Sequence, residues 1–75
     1  MWERIRNLRE DRDLTQKEMG RRIFVVQKTY SDYERGRINF SADTLKRIAQ
    51  ILNTSTDYLL ELTDDPTPPP KLRRK

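Results

Sequence analysis

The stretch "GRRIFVVQKTYSDYERG", Gly20 to Gly36, contains the break on which the fold depends. Met19 and Ile23 stand at helical spacing before it, and Tyr30 and Tyr33 stand at helical spacing after it. Two helices therefore meet around Phe24–Val26. Gly36 is the only residue near the end of "YSDYER" that enters the left-handed conformation cheaply, so the second of these helices should stop there.

Outward from this break the helical spacing continues. Ile5 and Leu8 precede it, and Leu45, Ile48, Ala49 and Leu52 follow it. The helix starts have their own signals. In "LTQKEM", Thr15 stands as N-cap with Glu18 three residues on, a capping box in which each side chain satisfies the other residue's N–H, and Leu14 and Met19 are placed as a hydrophobic staple. Ser41 can cap "ADTLKRIAQIL" and Ser55 can cap "TDYLLEL", with Asp43 and Asp57 in the first turns where the helix dipole favours them. This predicts five helices, at about residues 3 to 12, 16 to 23, 27 to 35, 42 to 52 and 56 to 62. After them comes "TDDPTPPPKLRRK", too rich in proline to continue a helix and with little to bury. Residues 1–63 are expected to form one all-α domain, and residues 64–75 an extended, Pro-rich basic tail without fixed structure.

The 75 residues give room for one small core. There is no cysteine and no histidine, which excludes disulfides, Cys or His metal sites and the commonest general base. The serines lack any spaced base, no Gly-rich phosphate loop is present, and the pair Asp64 and Asp65 reads as solvated beside the tail. An enzyme is not expected, nor any cofactor, metal or small-molecule effector. No apolar run approaches the roughly 18 residues of a membrane span, and the N-terminus is charged rather than signal-like. A cytoplasmic protein with no membrane partner is the expectation. The net charge of +4 is unevenly spread. Residues 15 to 47 hold eight basic against four acidic residues, residues 48 to 70 hold four acidic and no basic ones, and "KLRRK" at the end is basic again. A polyanion facing the middle of the domain would suit this distribution.

With these boundaries, "IRNLREDRDLTQKEM", "TYSDYERG" and "TLKRIAQILNTSTDYLL" occur in the order and spacing of the Cro and phage-repressor type of helix-turn-helix regulator, the XRE family, which the chain resembles over about residues 3 to 62. The resemblance implies a five-helix repressor-like DNA-binding domain whose third helix is the recognition helix.

On that helix Tyr30 and Tyr33 define the inward face, and at about 100° per residue Lys28, Ser31, Asp32 and Arg35 point roughly the other way. Gln27 stands at the N-terminal edge, where a recognition helix approaches the bases. Gln can pair in bidentate fashion with adenine, Lys with guanine, and Asp can accept from cytosine N4, so Gln27, Lys28, Ser31 and Asp32 are the expected base contacts. Gln16 and Lys17 open the second helix, whose N–H groups can hold a phosphate. Arg35, Arg37 and Asn39 complete the expected phosphate set, the last two as loop contacts implied by the resemblance. Arg21 and Arg22 read as helix-surface charges. The resemblance also implies an ion pair, Arg9 with Glu34, tying the first helix to the third.

Three residues near the break depart from the family pattern. Gly20 stands where alanine is usual, which keeps clearance between the helices but costs about 1 kcal/mol of helix propensity. Phe24 stands where glycine is usual, at a position of positive φ. Val26 stands where a Ser or Thr cap is usual and offers no acceptor, a loss of about 0.5 to 2 kcal/mol. Either the turn has another shape, or burial of Phe24 and the valines offsets the strain at roughly 1.5 to 3 kcal/mol per large side chain.

The functional expectation is a sequence-specific regulator of transcription, a repressor, that binds double-stranded DNA as a homodimer, because one recognition helix reads too few base pairs alone. The dimer surface is expected around Leu59 to Leu62, with Trp2 either joining it or anchoring the core. The competing expectation is a protein-interaction or antitoxin-type module on the same scaffold. For the tail three readings stand: a disordered end, a nonspecific DNA-binding arm through Lys71, Arg73, Arg74 and Lys75, or a linker to a further domain.

Overall fold

The computed structural model describes residues 1–69. Five helices follow one another, α1 (Trp2–Asp11), α2 (Gln16–Arg22), α3 (Gln27–Glu34), α4 (Ala42–Ile51) and α5 (Thr56–Leu59), and no strand occurs among the described residues. The capping box closes as expected: Thr15 Oγ1 accepts the N–H of Glu18, and the Glu18 carboxylate accepts the N–H of Thr15. Thr15, first through its N–H and then through its side chain, draws the Glu18 carboxyl below the usual carboxylate range. Ser41 and Ser55 likewise accept the N–H groups of Thr44 and Tyr58. Helix limits fall within one residue of expectation except at α5, expected to reach residue 62 and closed at Leu59.

All five helices end by one device. The chain passes through a left-handed residue, in turn Asp13, Phe24, Gly36, Asn53 and Glu61, with φ between 54° and 73°. The next residue's N–H then reaches back five positions at 2.8–3.1 Å: Leu14 to Arg9, Val25 to Gly20, Arg37 to Asp32, Thr54 to Ala49 and Leu62 to Asp57. These bonds satisfy carbonyls that a helix end otherwise leaves unpaired. The closure at Glu61 is what shortens α5. Only one of the five left-handed residues is glycine, so four of the stops carry no strong local signal.

The core consists of Ile5, Met19, Ile23, Tyr30, Ile48, Ala49, Leu52 and Leu59. Leu59 is fully buried, which removes it from the expected dimer surface; Leu60 and Leu62 remain exposed. Trp2 is half-buried. Its ring lies 4.5 Å from that of Phe40, which lies 4.4 Å from Tyr33, so the aromatic series joins the start of α1 to the loop after α3. Gly36 is favoured twice over: φ is +73°, and an added Cβ would stand a tight 3.2 Å from Trp2 Nε1.

Beyond α5 the chain continues through residue 69 without helix or strand. Arg4 donates to the carbonyls of Tyr58 and Thr63 and reaches exposed Asp64 at 3.1 Å, and Thr54 Oγ1 donates to the Pro66 carbonyl at 2.7 Å. Of the pair read as solvated, Asp64 therefore meets a cation, while Asp65 accepts the N–H of Thr67 and is drawn below the usual carboxylate range by it. Lys71, Arg73, Arg74 and Lys75 lie outside the described residues.

The ion pair between Arg9 and Glu34 is present and bidentate. Arg9 Nε and Nη2 donate to the two Glu34 oxygens at 2.7 and 3.2 Å, Nη1 donates to the Leu14 carbonyl at 2.6 Å, and Gln16 Nε2 donates to Glu34 Oε1 at 3.2 Å. The two side chains are only 10% and 4% exposed. Burial pushes the Glu34 carboxyl up, but the hydrogen bonds it receives from Arg9 and its other neighbours outweigh burial and hold it below the usual range. In return the hydrogen bond to Glu34 raises the Arg9 guanidinium against the opposing effect of burial. The buried Tyr30 hydroxyl lies within electrostatic reach of Glu34, yet no hydrogen bond of proper length and angle joins them; burial drives its pKa far above the ordinary tyrosine value.

The α2–α3 turn keeps the shape that a glycine would give it. Phe24 is left-handed at φ 62°, and Val26 has the extended geometry of an N-cap (φ −72°, ψ 158°) without any side-chain cap. The strain is not offset by burial of Phe24, which is 81% exposed, nor by Val26, which is 69% exposed; Val25 alone of the three packs against the core. Gly20 gives more than clearance. A Cβ there would stand 2.9 Å from the Val25 carbonyl oxygen, a backbone atom held in place by the helix closure itself.

Four variants should change stability in ways readable by thermal and urea unfolding. Phe24→Gly should raise it by up to about 1 kcal/mol, because an exposed, strained side chain is removed, and Val26→Ser should add a cap worth about 0.5–2 kcal/mol. Gly20→Ala should lower stability, because an overpacking cost of about 1–3 kcal/mol exceeds the roughly 1 kcal/mol gain in helix propensity; a gain would show that the turn yields. Glu34→Gln should cost several kcal/mol at neutral pH, near the ~3–5 kcal/mol for breaking a buried pair. Because the folded Glu34 carboxyl is depressed, its contribution is complete above the unfolded value of about 4.3 and fades as pH falls through the lower folded value. The variant should therefore show a flatter acid limb than the parent, and equal limbs would mean that Glu34 does not carry that dependence.

Candidate nucleic-acid interface

The site is built outward from the turn. Because Val26 has N-cap geometry without capping, α3 begins at Gln27 with no side chain satisfying its first N–H groups. Gln27 and Lys28 are exposed, Ser31 and Asp32 are half-buried one turn further along, and Arg35 is exposed at the helix end. Tyr30 is buried beneath them, as the helical phase requires, and Tyr33 is half-buried against Phe40.

Gln16, Gln27, Lys28, Ser31, Asp32, Arg35 and Arg37 line one open concavity. All four expected base contacts thus share a surface with three of the five expected phosphate contacts. Lys17 and Asn39 are exposed but outside this concavity. Its three cations exceed its single acid.

Two polar groups in it are already engaged. Gln16 donates its side-chain amide to Glu34, which ties the start of α2 to the buried ion pair and leaves the amide oxygen and the second N–H to face outward. Asp32, whose side chain is 20% exposed, lies 3.7 Å from Arg37. At that distance, with Arg37 largely in solvent, the pair is weak and either member is available to another partner. Asp32 is therefore a screened acid within a basic surround rather than an isolated negative charge.

One arrangement near the site has no local signal in the sequence. The Arg47 guanidinium of α4 lies 4.9 Å from the centroid of the exposed Phe24 ring, joining residues 23 positions apart. The Gln16 bond to Glu34 is similarly invisible in spacing, although the position of Gln16 beside the N-cap marks it as a helix-start residue. Among the described residues no helix is long and apolar enough to cross a membrane, and no group of three acidic, histidine or cysteine side chains is placed to hold a metal ion.

Comparison with known proteins agrees with this geometry. The family model described as "Helix-turn-helix" matches residues 5–59, from within α1 to the end of α5. Over 73 residues, 97% of this chain and 63% of the relative, the chain is 36% identical to the uncharacterized HTH-type transcriptional regulator YobD of Bacillus subtilis (strain 168). Over 57 residues, 76% of this chain and 45% of the relative, it is 35% identical to the HTH-type transcriptional regulator ImmR of the same organism. The chain thus spans about half to two thirds of the length of these relatives. No solved structure matches it. The family match runs from within α1 to the end of α5 and includes the α2–α3 turn, and the chain belongs to the helix-turn-helix family of XRE type.

Proposed function

We propose that the chain reads double-stranded DNA as a sequence-specific regulator of transcription, acting as a repressor, with α3 in the major groove. The observation that carries this reading is the single concavity in which short polar side chains of α3 are framed by Arg35 and Arg37. Gln27 and Lys28 are the principal base readers, through bidentate pairing with adenine and through guanine O6 or N7. Ser31 and Asp32 address the following base pairs, Asp32 accepting from cytosine N4 when Arg37 turns to a phosphate. Gln16, Lys17, Arg35, Arg37 and Asn39 set the register on the backbone. Both relatives are named as HTH-type transcriptional regulators, which supports the assignment to gene regulation, and the proposed place of action is the cytoplasm.

A recognition helix of eight residues reads a few base pairs, so two copies are needed on half-sites about one helical turn, or 34 Å, apart. Leu60, 44% exposed, and Leu62, 73% exposed, supply the apolar surface for that pairing beyond the end of α5.

Selection from a random duplex pool, read by sequencing, tests the proposal. It should enrich an inverted repeat, and Gln27→Ala should relax the preference at one position per half-site at a cost of about 1–3 kcal/mol. A pool that returns unenriched despite salt-sensitive binding would overturn sequence reading. A mass that stays monomeric at every concentration, free and on the selected DNA, would overturn the dimer.

A further inference from the structure

Phe24 has an unusual balance of cost and benefit. It stands at φ 62° and is 81% exposed, so folding gains neither a relaxed backbone nor a buried ring from it. Its interaction with another helix is with Arg47, whose guanidinium lies 4.9 Å from the ring centroid. A guanidinium over an aromatic face is attracted by the ring quadrupole. Stacking restrains its plane while the N–H groups along its edge remain available for a planar oxyanion. Arg47 is exposed and makes no ion pair among the described residues.

The location of this stack gives it a use. Phe24 is three residues before Gln27, which at the reach of an extended chain is at most about 10 Å, and Arg47 lies one ring contact further. The major groove is about 12 Å wide. These limits keep Arg47 within reach of the groove edge, where the phosphates are, when Gln27 lies at the groove floor. Arg47 does not line the concavity of α3; it belongs to a separate hollow on α4 with Asp43, Lys46 and Gln50. Arg35 and Arg37 mark one end of the recognition helix, and Arg47 stands beside the other.

We infer that Arg47, held on the exposed ring of Phe24, is a further contact to a DNA backbone phosphate, and that Phe24 is its positioning residue. This rests on the DNA-reading proposal above. It gives the left-handed phenylalanine a role in binding that a glycine, better for the fold, could not fill.

The test measures affinity for a short mixed-sequence DNA duplex between about 50 and 200 mM salt, because phosphate contacts appear as the slope of log affinity on log salt at about 0.9 per phosphate. Arg47→Gln should reduce that slope by about one. Phe24→Gly should raise the melting temperature yet lose part of the same slope, Phe24→Tyr should retain it, and Arg47→Gln added to Phe24→Gly should cost less than it does alone. Opposite movements of stability and affinity in Phe24→Gly are an outcome that a merely structural role would not produce, and the melting curves show that each variant is folded. A parental slope in Arg47→Gln overturns the phosphate contact; parental binding by Phe24→Gly overturns the positioning role. Both results leave DNA binding intact, whereas absence of salt-dependent binding by the unaltered protein overturns the DNA-reading proposal and this inference with it.

Discussion

The buried ion pair between Arg9 and Glu34 is the interaction on which the rest of the domain depends. Its atoms belong to α1 and α3, its third bond fixes the carbonyl of Leu14 between α1 and α2, and Gln16 brings the start of α2 to the same carboxylate. Four segments are thus oriented by one charged cluster at α3. A hydrophobic contact would hold them together without fixing their angle, whereas a bidentate guanidinium–carboxylate pair specifies direction as well as distance. Glu34 shares the helical phase of Gln27 on the same short helix, and Gln16, which lines the concavity, bonds to it, so the orientation of that surface is inherited from this pair.

Around the pair the fold uses very little chain. Successive helices are joined by connections of only a few residues, and each helix ends in the same left-handed closure. That economy leaves no slack at the α2–α3 turn. Gly20 must lack a side chain because Val25 is held above it, and Phe24 must be left-handed because the closure requires it whatever residue is present. The backbone has one shape here, and the sequence accepts strain to keep it.

Much of this was legible from residues alone, for reasons that can be named. The capping box at Thr15 and Glu18, the caps at Ser41 and Ser55 and the phase of Tyr30 and Tyr33 are local relations, and local relations survive folding. The candidate base readers could be selected because a helix of known phase and start assigns its outward residues. The end of α5 was misplaced because Glu61 resembles a helix former and gives no sign of a left-handed stop. Leu59 was assigned to the surface for the same reason: a helix continued to residue 62 places the final leucines differently from one that closes at Leu59. Neither alternative for the turn holds, since the left-handed shape is kept and Phe24 is exposed; hydrophobicity does not reveal whether a neighbour exists to cover the ring. The Arg47 stack and the Gln16 bond join distant positions, and nothing in spacing announces them.

The contact at Gly20 also has a mechanical consequence. Glycine leaves only the room that the Val25 carbonyl needs at this turn, and the buried ion pair resists rotation of the third helix. Such an element is a stiff gauge rather than an adaptable hand. If its ligand is a duplex, the adjustment needed for docking must come from the duplex, and sequences with pliant pyrimidine–purine steps would meet the gauge at a lower deformation cost than stiff tracts, even at base pairs that no side chain touches.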